Sequence, residues 1–152
     1  EALAQLAENL DRPVLWLPFH QDQDRGLLES LTCSGVVPAS LQRRSREIQA
    51  VDPQEALAWF SSASLVIAMR LHGLILAALA GSPTVALSYD PKVDAAAEAI
   101  GSPCQRLDGL MDGADLLDSW QRALDQPPAS GVIHSLQAQA QQHRQVFGVL
   151  QR

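Results

Sequence analysis

Between Leu65 and Gly101 the chain passes twice from a continuous apolar run into a helical stretch through a turn of a few residues. This repetition constrains the fold more than any other feature. Leu65 to Met69 is apolar throughout and bounded by serine and arginine, as in a strand buried on both faces of a parallel sheet. His72 to Ala80 is apolar nearly all round and ends at Gly81, which predicts a short buried helix with a glycine C-cap. Ser82-Pro83 is a turn and Thr84 to Tyr89 the next strand. Asp90-Pro91 then supplies an N-cap and a proline at the first helical position, and Val93 to Ile100 is a helix closed by Gly101. Strand and helix alternating through short turns is the pattern of an α/β fold with an open parallel sheet.

The alternation extends in both directions. Val14 to Leu17 reads as a short buried strand, and Asp22 to Leu31, with Leu27, Leu28 and Leu31 at helical spacing, as the helix after it. Gly35 to Pro38 is expected as a short strand, and Leu41 to Arg46 as a connector whose Arg43, Arg44 and Arg46 form a solvated basic loop. Asp52-Pro53-Gln54-Glu55 is a strong helix start. Gln105 to Leu107 is expected as a last edge strand, followed by helices near Asp112 to Leu124 and Gly131 to Leu150. The 152 residues suit one domain. Because Glu1 lies inside what reads as a helix running to Leu10, we expect this domain to be part of a longer protein.

Eleven Lys and Arg against 17 Asp and Glu give a net charge of −6, which argues against nucleic acid or an anionic membrane as the main partner. No apolar stretch approaches the roughly 18 residues that span a bilayer, and no basic segment precedes a long apolar one, so a cytoplasmic protein is expected. Cys33 and Cys104 have no second cysteine or histidine at metal-ligand spacing, so reduced, buried thiols and no metal are expected. Ten of the eleven cationic residues are arginine. The one lysine, Lys92, lies three residues after the one tyrosine, Tyr89.

In an open α/β sheet, ligands collect beyond the carboxyl ends of the strands, where helix N-termini point. Two strand-to-helix turns here carry cations. Met69-Arg70-Leu71-His72-Gly73 puts Arg70 in the turn, His72 at the helix start and a glycine that permits close backbone approach. Ser88-Tyr89-Asp90-Pro91-Lys92 puts the lysine in a first turn, against the helix dipole. If the two strands are neighbours, Arg70, His72 and Lys92 converge on an anion site containing a group able to exchange a proton near neutrality. Each has a plainer reading: Arg70 paired with an aspartate, His72 in the core, Lys92 solvated. Pro18-Phe19-His20, with Asp22 and Asp24, follows the first strand, so His20 can face the same crevice. His134 and His143, nine apart on one helix, point to opposite sides.

The stretch Val66-Ile67-Ala68-Met69-Arg70-Leu71-His72-Gly73, continued through Leu74 to Pro83 and by Ser88-Tyr89-Asp90-Pro91-Lys92-Val93, resembles the polysaccharide pyruvyl transferase family, most closely bacterial members acting on cell-wall polymers. The resemblance implies the Rossmann-like, C-terminal, donor-side domain of a two-domain transferase of GT-B type. It implies phosphoenolpyruvate as donor, a saccharide acceptor, free or lipid-linked, and no cofactor or metal. His72 and Arg70 would be catalytic. Arg70, His72 and the backbone of Leu71 would bind the donor and Lys92 would support it, with Gly73, Tyr89 and His20 completing the substrate site. Without an acceptor half the chain is expected to be inactive. Its last helix, about 131–150, would pack on the protein's own N-terminal domain, membrane-associated or not, leaving Val146, Phe147 and Leu150 to mediate self-association. The rival readings are a nucleotide-sugar domain of a GT-B glycosyltransferase or UDP-sugar epimerase, and a non-enzymatic assembly module.

Overall fold

A computed structural model of the chain describes residues 1–109 and 112–138. The order of elements is α1 (Ala2–Leu10), β1 (Val14–Trp16), α2 (Gln21–Asp24), α3 (Leu27–Cys33), α4 (Ala39–Arg44), β2 (Ser45–Glu47), α5 (Pro53–Ser61), β3 (Val66–Ala68), α6 (Leu71–Leu79), β4 (Thr84–Ser88), α7 (Pro91–Ile100), β5 (Cys104–Arg106) and α8 (Gly113–Leu124). Residues 130–138 are helical as well. The strands β3, β4 and β5 form a parallel sheet in sequence order, and β1 and β2 form a separate parallel pair.

Side chains alternate across a strand, so β3 and β4 feed two cores. On one face Val66, Ala68 and Ala86 pack with Phe60 of α5, Leu74, Ala77 and Ala78 of α6, and Val93, Ala97 and Ile100 of α7. On the other, Val85 packs with Leu6 of α1 and with Trp120 and Ala123 of α8, while Ile67 and Leu87 fill in around them. The result is three layers, helices on both faces of a parallel sheet, which is a Rossmann-like α/β arrangement. Ala77, Ala78, Ala86 and Ala97 are fully buried. Their small side chains let α6 and α7 lie close on the strands. Leu74 is also fully buried, and its side chain contributes about 1.5–3 kcal/mol by leaving water.

Local chemistry sets the helix starts. The Asp52 carboxylate accepts from Glu55 N at 2.8 Å while Glu55 accepts from Val51 N at 2.8 Å, a reciprocal cap. Asp90 accepts from Lys92 N at 2.9 Å, and Asp112 accepts from Ala114 N at 3.1 Å.

Several sequence expectations are corrected. The helix expected from Asp22 to Leu31 is broken at Gly26, whose φ of 72° ends one segment and begins the next, and whose N–H is held by Glu47 at 3.0 Å. Gly35 to Pro38 is not a strand: Gly35 turns the chain with φ 72° and Pro38 starts α4. The strand lies instead at Ser45–Glu47, within the expected basic loop, paired with β1 through Val14↔Ser45 and Trp16↔Glu47. Arg43 and Arg44 occupy the last turn of α4, where cations oppose the dipole's negative end, and Arg44 pairs with Asp11 at 2.9 Å. Both cysteines are exposed, not buried. His143, Val146, Phe147 and Leu150 lie outside the described residues, while Val132 and Leu136 pack on the first core. Among the described residues no helix is long and apolar enough to cross a membrane.

Candidate active site

Adjacent parallel strands β3 and β4 bring the Arg70 and Tyr89 turns side by side at their carboxyl ends. Arg70 is the residue before α6, and Tyr89 follows the last residue of β4. The Arg70 Nη1 group donates to the Tyr89 hydroxyl at 2.7 Å. The guanidinium carbon is 5.9 Å from the Tyr89 ring centroid, at the outer limit of face attraction, so the hydrogen bond carries this contact.

The third wall is the segment after β1. Asp24, at the end of α2, accepts from Arg70 Nε at 3.2 Å on each oxygen and from Nη2 at 2.5 Å on Oδ1. Its Oδ2 also accepts from Phe19 N at 3.1 Å and His20 N at 2.9 Å. Gln23 accepts from Arg70 Nη2 at 2.8 Å. Of the five guanidinium N–H groups, four therefore have acceptors, and one on Nη1 has none among the described residues. Burial pushes the Asp24 carboxyl up, but the Arg70 hydrogen bond and the two backbone N–H groups outweigh it and hold it below its ordinary value. The same hydrogen bond raises the Arg70 guanidinium further.

His72 is exposed in the first turn of α6, two residues beyond Arg70. This helix has no side-chain cap, whereas α5, α7 and α8 are each capped by an aspartate. Leu74 N bonds back to Arg70 O at 3.0 Å, so the N–H groups of Leu71, His72 and Gly73 precede the helical ladder. Leu71 itself is half-buried against the first core. Lys92 is exposed in the first turn of α7, and its ammonium has no partner among the described residues. Asp94 in that turn is taken by Arg106. His20 is exposed, tied to the site through its backbone N–H on Asp24.

Gly73 has a different role from the one its sequence position invites. A Cβ there would meet the Phe19 ring at 3.4 Å, so the glycine lies against Phe19, not against open space. Phe19 in turn stacks on Phe60 of α5 with centroids 6.1 Å apart and planes 3° apart, so its ring ties the β1 loop to α5 while lying against Gly73 of α6. Sequence reasoning assigned no role to Asp24, Gln23 or Phe19. The contacts that bring them to the site, Asp24 and Gln23 with Arg70 and Phe19 with Phe60, span tens of residues and leave no local pattern, although the plainer reading of Arg70, an aspartate partner, foretold the chemistry.

A model of the polysaccharide pyruvyl transferase family matches residues 2–91. The chain belongs to that family. The matched span contains Asp24, Arg70, His72 and Tyr89 and stops one residue short of Lys92. No curated protein and no solved structure matches the chain. A polysaccharide pyruvyl transferase works between a pyruvate donor and a saccharide acceptor, and the match does not favour the nucleotide-sugar reading. A cavity of about 490 Å³ between α3 and β2, lined by Gly26, Leu28, Glu29, Thr32, Ser45 and Glu47 among others, contains none of Arg70, His72, Tyr89 or Lys92. Among the described residues no three His, Cys, Asp or Glu side chains gather as metal ligands would.

Proposed function

We propose that the crevice at the carboxyl ends of β3 and β4 holds phosphoenolpyruvate and that the domain transfers its pyruvyl group, as a ketal, to two hydroxyls of a saccharide. The supporting observation is that the uncapped start of α6 and the first turn of α7, carrying exposed His72 and Lys92, follow adjacent strands joined by the Arg70–Tyr89 bond. A donor with a carboxylate and a phosphate needs fixed N–H groups and a point charge, and these turns supply both.

In this reading His72 gives a proton to the enol methylene, which becomes a methyl group, and the adjacent carbon becomes an oxocarbenium. One sugar oxygen bonds to that carbon and passes its proton to the neutral imidazole. The carbon–oxygen bond to phosphate then breaks and phosphate leaves with the bonding pair beside Lys92; the second sugar oxygen bonds to the carbon to close the ketal, and its proton passes to the departing phosphate. A well-placed general acid contributes about 10²–10⁴ in rate. Arg70 and Tyr89 offer one N–H and one O–H to the donor, and the Leu71 N–H adds to them. Exposed Met69, Tyr89 and Leu107, each just past a strand's carboxyl end, form the rim that an acceptor-bearing domain of a GT-B pair would meet.

Calorimetric titration tests this. Phosphoenolpyruvate should bind, and His72→Ala and Lys92→Ala should each weaken it at least tenfold. Binding of UDP-sugars alone, or unchanged phosphoenolpyruvate affinity in both variants, overturns the proposal.

A further inference from the structure

Resting on that reading of the crevice, we infer that Asp24 is a positioning residue: it acts through Arg70, fixing which edge of the guanidinium the donor meets. The geometry is one-sided. Asp24 takes the Nε and Nη2 edge with both oxygens, Gln23 takes the second Nη2 hydrogen, and Tyr89 takes one Nη1 hydrogen. An unattached arginine side chain samples many rotamers, whereas three neighbours hold this one in a single orientation before any ligand arrives, and such preorganisation lowers the entropic cost of binding.

What remains for a ligand is one Nη1 hydrogen and the Tyr89 hydroxyl proton, since Tyr89 accepts from Arg70 and keeps its own hydrogen to donate. The two donor atoms, a nitrogen and an oxygen 2.7 Å apart, are what Arg70 presents in place of the Nε–Nη2 fork with which a free guanidinium grips a carboxylate, because Asp24 occupies that fork. Asp24 also offsets the charge of Arg70 at a place where a cation is disfavoured, immediately before the positive end of α6. Its Oδ2 holds Phe19 N and His20 N as well, so the same carboxylate ties the β1 loop to the β3 turn.

A purely structural aspartate and a positioning one differ in coupling. Phosphoenolpyruvate affinity should fall about tenfold in Asp24→Asn and by a similar factor in Arg70→Lys, and the double variant should be no weaker than Arg70→Lys alone, because the aspartate has nothing left to position. Gln23→Leu, on an exposed side chain, provides a second arm should Asp24→Asn not fold. It should weaken binding several-fold in the parent and leave the Arg70→Lys variant unchanged. Factors that multiply in the double variants, with folded protein, overturn the inference while leaving the donor site standing. Phosphoenolpyruvate affinity unchanged in both Arg70→Lys and His72→Ala overturns the donor site and this inference together.

Discussion

Asp24 and Arg70, 46 residues apart in sequence, meet edge to edge, with Nε 3.2 Å from each carboxylate oxygen and the side chains only 19% and 29% exposed. The pair joins the loop after β1 to the turn after β3, so it is at once a tertiary staple and part of the candidate site. Breaking one side leaves the other half-buried without its partner. Asp24→Ala should cost about 1–3 kcal/mol of stability, read as a shift in the urea midpoint at neutral pH.

The same pair sets an acid dependence. The Asp24 carboxyl ionises more readily in the folded chain than in the unfolded one, where aspartate titrates near a pKa of about 3.9. Its contribution is therefore complete above that value and lost as pH falls through the lowered folded-state pKa. Urea midpoints measured from pH 6 down to pH 2 should fall less steeply in Asp24→Asn than in the parent. Parallel curves would show that the carboxylate does not sense the fold.

Gly73 offers a test of the opposite sign. A methyl group there reaches the Phe19 ring at 3.4 Å, ordinary contact, and α6 gains a better helix former. Gly73→Ala should be neutral to stabilising by up to about 1 kcal/mol in thermal unfolding. A loss beyond that would mean the ring cannot accept the methyl group.

Phe60 supports the site from beneath. It is 8% exposed and stacks on Phe19, the residue whose ring ties the β1 loop to α5. Phe60→Ala should cost about 3–5 kcal/mol, and Phe60→Leu less than half of that, by chemical denaturation. Equal costs would place the stabilisation in something other than filled volume.

How much of this was legible in the sequence depended on whether the cause was local. β3, α6, β4 and α7 could be read because each carries its own signal: an apolar run, the Asp90-Pro91 cap, and Gly81 and Gly101 at helix ends. Ser45-Arg46-Glu47 is polar, and only its pairing with β1 makes it a strand. Gly26 interrupts a helical pattern whose leucines alone read as continuous. At the site, the turns bearing Arg70, His72, Tyr89 and Lys92 were visible as cations after strands. Asp24 stood out only as a neighbour of His20, and its bond to Arg70 was not visible, because that partner lies in another turn. Cys33 and Cys104 read as buried from the habit of their residue type, but Cys33 closes α3 and Cys104 opens the edge strand β5, and both are exposed.

The central claim, that a small donor bearing a carboxylate and a phosphate sits between the first turns of α6 and α7, is tested most directly by nuclear magnetic resonance of the protein with nitrogen-labelled histidine, titrated with phosphoenolpyruvate. The His72 signal, assigned by its loss in His72→Gln, should shift saturably while that of His134, exposed on the 130–138 helix, stays in place. The shift should require at least tenfold more phosphoenolpyruvate in Lys92→Ala. A bound donor that leaves His72 unmoved, or an undiminished shift in Lys92→Ala, would contradict the account.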